Sequence, residues 1–439
     1  MYDIVIGRNK SDFNKYGTRG TILLGKHYVK MGRTTSLSNK MYMDVTRSHV
    51  VFVCGKRGGG KSYTMGVVAE GVADLEPAIK QNISVVLLDT MGIYWTMKYP
   101  NHKDKDLLDL WDLKPKALDV TIFIPQGHFK EFKERGIPAD FPFALRPDEL
   151  DIDDWALTLG IKRHSEEGIL MEKIVTDLKA LGKSFSIQEM IDKVKNDGTS
   201  TQKAKDSTTN MLENTKTWGL FDREGTPLND LVVGGQVTVL DVSIYATMPG
   251  GWGIKSLVIG LVSKKLFAQR MVSRRDEEFQ AVHETVNFFM EEEQKKMEYP
   301  MVWLVIDEAH EFLPNKGETA ASAPLITILR EGRQPGLSLI LATQQPGKIH
   351  TDVMTQSDTI ISHRITAKLD TDALGMLMQS YMRTGLDQYL NDLPREKGAA
   401  IILDDSNERM YPMRVRPRFT WHGGEAPVAI PREKKIFNL

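Results

Sequence analysis

Short, continuous runs of apolar residues recur along the chain, and most of them end at a polar or turn-forming residue. The clearest is 49–54, in which four apolar residues and a cysteine follow a histidine. Runs of this kind are expected for strands that are buried on both faces of a parallel sheet. The same pattern predicts further strands at 83–88, 120–124, 237–240, 303–306, 337–342, 359–362 and 399–403.

Helical periodicity occupies the intervals between these strands, at 63–75, 254–271 and 324–330. Between about 148 and 230 the pattern is helical throughout, and Ser186 with Glu189 predicts a capping-box helix start. Strands that alternate with helices predict an α/β fold with a mostly parallel sheet flanked by helices. We therefore expect a wound sheet that carries a helical insertion.

These patterns divide the chain into five parts. Short β-like pieces predict a reduced, barrel-like N-terminal β segment, and the sheet is expected to be interrupted by the helical block. The predicted parts are 1–45 (N-terminal β segment), 46–147 (first part of the core), 148–232 (helical insertion), 233–423 (second part of the core) and 424–439 (C-terminal tail). The charged segment 273–296 is expected to be a solvated helix or a linker.

Composition is typical of a soluble globular protein, with 41% hydrophobic and 26% charged residues. The formal net charge of -1 argues against a polybasic nucleic-acid coat but leaves a local basic channel open. The single cysteine, Cys54, excludes an intramolecular disulfide and a cysteine-based metal cluster. No secretory signal and no membrane-spanning run is visible. We therefore expect a cytoplasmic protein with no membrane partner.

A glycine-rich loop joins the first buried strand to the next helix. In such a loop, backbone N–H groups converge on phosphate oxygens, and the helix N-terminus adds positive charge. Lys61 is expected to reach the β- and γ-phosphates, and the Ser62 hydroxyl to bind Mg²⁺. A chance glycine-rich turn is the alternative, but the strand–loop–helix context favours phosphate binding. The predicted nucleotide-binding residues are Gly55, Lys56, Arg57, Gly58, Gly59, Gly60, Lys61, Ser62 and Tyr63.

Polar residues follow two later strands of the predicted core. Asp307 is expected to bind the metal, and Glu308 to deprotonate an attacking water. Gln344 is expected to contact the γ-phosphate or the water, unless it is a simple strand-end turn. Asp89, after the second buried strand, fits either a place near the metal or a turn. His310 is expected to support the site from behind or merely to pack.

Two arginines close the helix after the Asp307 strand. Arg330 and Arg333 suit the charge of a phosphoryl transition state, and such arginines are often supplied by a neighbouring subunit. The alternative is a surface salt-bridge cluster. His363 and Arg364 are a weaker candidate of the same kind.

Together these motifs resemble the HerA branch of the HerA/FtsK superfamily of ring-forming ATPases. The resemblance covers roughly residues 45 to 423. It differs at Ile93, where the family usually has an acidic residue, and in an N-terminal segment shorter than the family's β-barrel domain. The segments that carry it are 53–64, 89–94, 305–314, 330–333, 342–344, 393–394, 398–400 and 416–418.

The resemblance implies a RecA/FtsK-like P-loop NTPase fold, ATP as the nucleotide and a homo-hexameric ring. It implies movement along, or unwinding of, double-stranded DNA, with a nuclease partner in DNA end processing or repair. It points to Arg333, with Arg330 second, as the residue that enters a neighbour's site. A packaging or secretion motor, or a nucleotide-dependent assembly switch of a defence or repair complex, are the alternatives. Glu308 argues against a pure switch, because a general base implies turnover.

Overall fold

A computed structural model of the chain describes residues 3–31, 34–286, 296–377, 386, 388–390 and 392–425. The predicted C-terminal tail therefore lies outside the described residues from position 426 onward, as does the 287–295 part of the charged segment.

The strands correspond closely to the apolar runs of the sequence, since each predicted run falls on a strand. Their bounds are β1 Ile4–Ile6, β2 Thr21–Met31, β3 Thr34–Asp44, β4 Val50–Cys54, β5 Ile83–Asp89, β6 Val120–Pro125, β7 Phe141–Phe143, β8 Val237–Asp241, β9 Met301–Ile306, β10 Leu337–Thr343, β11 Thr359–His363, β12 Ala399–Asp404 and β13 Arg409–Val415.

These strands form one 13-stranded sheet within the described residues, in the order β1-β3-β2-β13-β12-β11-β4-β10-β9-β5-β8-β6-β7. From β11 to β7 every neighbouring pair is parallel. From β11 to β3 the pairs are antiparallel, and β1 adds to β3 in parallel. The mostly parallel sheet is therefore confirmed, and the N-terminal strands continue it through β13.

Helices cover both faces of the sheet. Those outside the helical insertion are α1 Lys10–Tyr16, α2 Lys61–Ala73, α3 Pro77–Lys80, α4 Lys105–Leu110, α5 Phe129–Glu134, α11 Gly251–Val286, α12 Ser322–Glu331, α13 Thr351–Gln356 and α14 Lys368–Leu377. Those of the insertion are α6 Ile152–Leu159, α7 Glu166–Lys179, α8 Ile187–Lys195, α9 Gln202–Lys216 and α10 Leu228–Leu231. Helix α8 begins with the predicted capping box of Ser186 and Glu189.

Successive side chains of a strand point to opposite faces, so each central strand serves two cores. On β9, Trp303 is fully buried on the face that α2 covers, while Leu304 is buried on the face that α11 and α12 cover. The strands are thus fixed from both sides, and their carboxyl ends meet at one edge of the sheet. That edge carries the functional residues.

Candidate active site

The glycine-rich loop links β4 to α2 at the carboxyl edge of the sheet. Gly58 has φ of 74° and Gly60 has φ of 115°, a region that favours glycine because it has no β-carbon. Lys61 is the first residue of α2 and is only 6% exposed. Burial lowers the pKa of Lys61, while the charges of two nearby carboxylates raise it. The Lys61 ammonium group thus directly follows a loop whose backbone conformation suits phosphate binding.

The other loop residues are arranged around this centre. Lys56 and Arg57 are exposed to solvent. Tyr63 is turned away toward the C-terminal segment, where its hydroxyl accepts a hydrogen bond from the backbone N–H of Arg418 at 2.6 Å. Tyr63 therefore anchors α2 within the fold.

Ser62 and Asp307, the two predicted metal ligands, are in direct contact. The Ser62 hydroxyl donates to Asp307 Oδ2 at 2.5 Å. Burial raises the pKa of Asp307, and the bond from Ser62 acts in the opposite direction. Mg²⁺ in proteins is usually held by one or two protein oxygens together with phosphate and water oxygens. A hydroxyl and a carboxylate at one point beside the phosphate loop fit that ion.

Glu308, the predicted base, adopts a left-handed backbone conformation with φ of 51° and ψ of 41°. This costs a residue other than glycine roughly 1–2 kcal/mol, and such conformations concentrate at functional sites. Its side chain is 13% exposed, and its Oε1 accepts a hydrogen bond from Gln344 Nε2. Gln344 follows β10, the strand beside β9. The structure thus brings together two predicted residues that lie 36 positions apart.

His310 lies behind Glu308. Its Nε2 accepts a hydrogen bond from the Gln345 amide at 3.2 Å, so the proton is on Nδ1, which donates to Thr343 Oγ1 at 2.9 Å. Nδ1 is also 3.5 Å from Glu308 Oε2. Burial lowers the pKa of His310. His310 thus supports the Glu308 loop as a neutral ring.

Asp89 organises a loop. Its two carboxylate oxygens accept hydrogen bonds from the four backbone N–H groups of residues 91–94, at 2.7–3.1 Å. Burial and the neighbouring Asp241 raise the pKa of Asp89 to about 7, against the effect of these N–H groups. The loop places Tyr94 so that its hydroxyl donates to the Ser62 carbonyl at 3.4 Å. Of the two roles that the sequence left open, the structure shows the turn.

A buried lysine and an acid next to this loop were not identified from the sequence. Lys255 of α11 is 2% exposed, and its ammonium donates to the Thr90 carbonyl at 3.0 Å. Nearby, burial and the charge of Glu308 raise the pKa of Glu311 to about 7. The signal for Lys255 was present as a lone charge in the apolar stretch 254–262.

The two arginines lie near the amino end of β10, away from the glycine-rich loop at the carboxyl ends of the strands. Helix α12 returns from the carboxyl edge, so Arg330 and Arg333 lie beside the amino end of β10, and both are exposed. Arg330 forms a 2.6 Å ion pair with Asp352. Strand β10 has seven residues, which separates its two ends by roughly 20 Å. Neither arginine is therefore in reach of Lys61 of the same chain.

His363 is not placed to contact a phosphate. It is fully buried under the glycine-rich loop, and both ring nitrogens are engaged inside the protein. The prediction that His363, together with Arg364, contacts the phosphoryl group is therefore wrong for His363, because no surface of its ring remains for a ligand.

A phosphate-binding loop, a serine–aspartate pair and a glutamate held by an amide define this fold and site as those of a P-loop NTPase. Residues 29–248, just over half of the chain, match the family described as "Helicase HerA, central domain". The chain belongs to that family and is a HerA-like ATPase. Residues 260–384 also match the family described as "Zonular occludens toxin (Zot)".

Two curated relatives carry the HerA name. The "Probable DNA double-strand break repair helicase HerA" of Methanocaldococcus jannaschii is 30% identical over 146 residues, which are 31% of this chain and 27% of that protein. The "DNA double-strand break repair helicase HerA" of Pyrococcus furiosus is 26% identical over 147 residues, 32% of this chain and 24% of that protein. The matching region thus spans about a quarter of each relative's length.

Among solved structures, VirB4 of Thermoanaerobacter pseudethanolicus has a similar fold. The TM-score is 0.53 at 12% identity, over 90% of this chain and 96% of that one. This supports the α/β P-loop fold class. Within the residues that the structure describes, no helix combines the length and apolar character needed to cross a bilayer.

Proposed function

We propose that the protein is an ATP-hydrolysing ring motor that translocates along, or unwinds, double-stranded DNA. The observation that carries this proposal is Glu308, which is held in a left-handed conformation and hydrogen-bonded to Gln344 beside the Ser62–Asp307 pair. A protein that only binds nucleotide needs no base at that position, whereas a motor must hydrolyse ATP in every cycle.

Each residue of the site has a role in this proposal. Lys61 binds the β- and γ-phosphates, and Ser62 and Asp307 would hold a Mg²⁺ ion, whose chemistry here is to neutralise phosphate charge. Glu308 accepts the proton of the attacking water, and Gln344 orients Glu308 and that water. Asp89 and Tyr94 keep the first turn of α2 in place.

The arginines support an assembly. Arg333 is exposed at the edge of the sheet opposite to Lys61, so it serves a nucleotide only if that nucleotide is bound to a neighbouring subunit. Contacts between different faces of identical subunits close into rings when the rotation permits. We propose a homo-hexamer with Arg333 as the residue acting in trans, because Arg330 is already paired with Asp352.

DNA as the substrate is supported by the names of the two curated relatives, both double-strand break repair helicases. We further propose a role in DNA end processing together with a nuclease partner, and a cytoplasmic location. A packaging or secretion motor would use the same hydrolytic site. A response of hydrolysis to DNA separates a motor that moves DNA from one that moves protein.

The test is the ATPase rate of protein of known native mass, with and without linear double-stranded DNA. We expect a hexameric mass, hydrolysis that DNA increases several-fold, and no hydrolysis by K61A, which has lost the phosphate-binding ammonium. Hydrolysis that no DNA changes would contradict the DNA motor while leaving the ATPase intact. Equal hydrolysis by wild type and K61A would contradict the site itself.

A further inference from the structure

The end of β11 forms the floor of the glycine-rich loop. The backbone N–H of Lys56 donates to the Arg364 carbonyl at 3.3 Å, and His363 lies directly beneath the glycines. A β-carbon on Gly55 would lie 2.6 Å from the His363 β-carbon, and one on Gly60 would lie 3.2 Å from the imidazole Cε1. Glycine is therefore required at both positions because His363 approaches the loop closely, as well as for contact with phosphate.

The hydrogen bonds of His363 define its protonation state. Nδ1 is 3.2 Å from the Ala399 carbonyl, which can only accept, so Nδ1 carries the proton. Nε2 is 2.8 Å from Thr64 Oγ1 and therefore accepts from that hydroxyl. Burial lowers the pKa of His363 to about 4, so the ring is neutral at physiological pH. Both ring nitrogens have a hydrogen-bond partner only when the proton is on Nδ1 and the ring keeps this orientation.

We infer that His363 is a positioning residue for ATP binding, which holds the glycine-rich loop in its phosphate-accepting shape without touching the nucleotide. This inference rests on the proposed function, since it concerns the same nucleotide site. The ring ties α2, through Thr64, to β12, through Ala399. A loop that is fixed before binding loses less conformational freedom when phosphate arrives.

The consequence is a specific kinetic signature. Loss of the ring lets the loop adopt conformations that do not bind phosphate, so only part of the population is competent. ATP affinity falls, but the groups that act on bound ATP, Lys61 and Glu308, remain. The dissociation constant is expected to rise while turnover at saturating ATP changes little.

The matched control lies at the other end of the same pair of strands. His49 precedes β4, is 5% exposed, and binds Asp358 at 2.9 Å at the amino end of β11. His49 and His363 are thus both buried histidines, at opposite ends of the paired strands β4 and β11, but only His363 contacts the loop. Substitution of His49 removes similar packing far from the nucleotide.

The experiment measures binding of a fluorescent ATP analogue and steady-state ATPase for H363A, H363Q, T64V and H49A in the 439-residue chain. We expect H363A, which loses the hydrogen bonds to Thr64 and Ala399, to raise the dissociation constant about tenfold, a change of the size of one net buried hydrogen bond. T64V keeps the side-chain shape but removes the hydroxyl, and should produce part of this effect. H363Q restores an acceptor for Thr64 and should recover affinity relative to H363A. H49A should lower thermal stability but leave affinity unchanged.

Three outcomes would overturn the inference. Wild-type affinity in both H363A and T64V would do so directly. Equal losses of affinity in H49A and H363A would show that only global stability matters. Effects of H363A and T64V that add fully in the double variant would show that the two residues do not act through one contact. Failure of the wild-type chain to bind ATP would instead contradict the proposed function, and the inference with it.

Discussion

The Ser62 hydroxyl donates a 2.5 Å hydrogen bond to the Asp307 carboxylate, across 245 positions of sequence. This contact joins the first turn of α2 to the tip of β9, and it places the two oxygens that fit a Mg²⁺ ion at one point beside Lys61. The closeness of the pair follows from the parallel sheet, because β4 and β9 are separated only by β10.

Substitution of Ser62 should impair ATP hydrolysis, which depends on Mg²⁺, but not nucleotide binding in the absence of the metal. S62A removes one oxygen of the pair, so we expect ATP hydrolysis to fall by about 100-fold at low Mg²⁺ concentration. S62T retains a hydroxyl and should retain most of the activity. The measurement is ATPase rate against Mg²⁺ concentration, with nucleotide binding in excess chelator as a reference. An S62A protein with an unchanged Mg²⁺ dependence would remove Ser62 from the metal site.

Glu308 should be required for hydrolysis but not for binding. E308Q preserves shape and the contact with Gln344 but cannot accept a proton, so we expect a loss of about 10²–10⁴ in turnover. ATP affinity should stay within a few-fold of wild type in an equilibrium binding measurement. E318Q, at an exposed glutamate after the same strand, should behave as wild type. Normal turnover by E308Q would assign the base elsewhere.

Glu311 should lower stability at high pH. Folding raises its pKa from 4.5 to about 7, mainly through burial, so between these values the native state binds more protons than the unfolded chain. The free energy of unfolding therefore decreases as pH rises from about 4.5 through 7. Among the described residues, Glu311 Oε2 has no hydrogen-bond partner.

E311Q removes this ionisation. We expect its Tm to exceed that of the wild type by roughly 2 °C at pH 8 and to equal it at pH 4. Thermal unfolding at both pH values is the measurement, and E318Q should show no such pH-dependent difference. A Tm gain that is the same at both pH values would rule out the charge of Glu311 as the cause.

The two arginines should differ in their effect. Arg333 is the proposed group acting on a neighbour's nucleotide, and R333A should reduce turnover about 10³-fold. Arg330 is paired with Asp352, and its side chain is 59% exposed. R330A should therefore reduce turnover less than about tenfold, since exposed ion pairs contribute little. The measurement is turnover at saturating ATP for R333A and R330A, compared at equal native mass. A larger loss in R330A than in R333A would exchange the roles of the two arginines.

The central sheet and the residues at its carboxyl edge could be predicted from the sequence. Continuous apolar runs indicate buried parallel strands, and the ends of such strands meet at one edge. Lys61, Ser62, Asp307, Glu308 and Gln344 were expected there for that reason. Their grouping needed no knowledge of side-chain geometry.

Other features depend on tertiary context. Strand β13 was not expected, because Pro412 interrupts its pattern and removes a backbone donor. The sequence also does not show that β13 connects the N-terminal hairpin to the core. Similarly, the role of His363 is decided by hydrogen bonds to residues that the fold, rather than the spacing, brings near.

The composite ATPase site is tested most directly by combining two inactive variants, K61A and R333A, in one ring. The two variants are co-expressed with different tags, and rings that contain both are purified through both tags. If the subunits mix at random, about a quarter of the interfaces in these rings pair an intact Lys61 with a neighbour's intact Arg333. We predict that these mixed rings hydrolyse ATP although neither variant does so alone. Mixed rings as inactive as their components, or an R333A protein with wild-type turnover, would contradict a site shared between subunits.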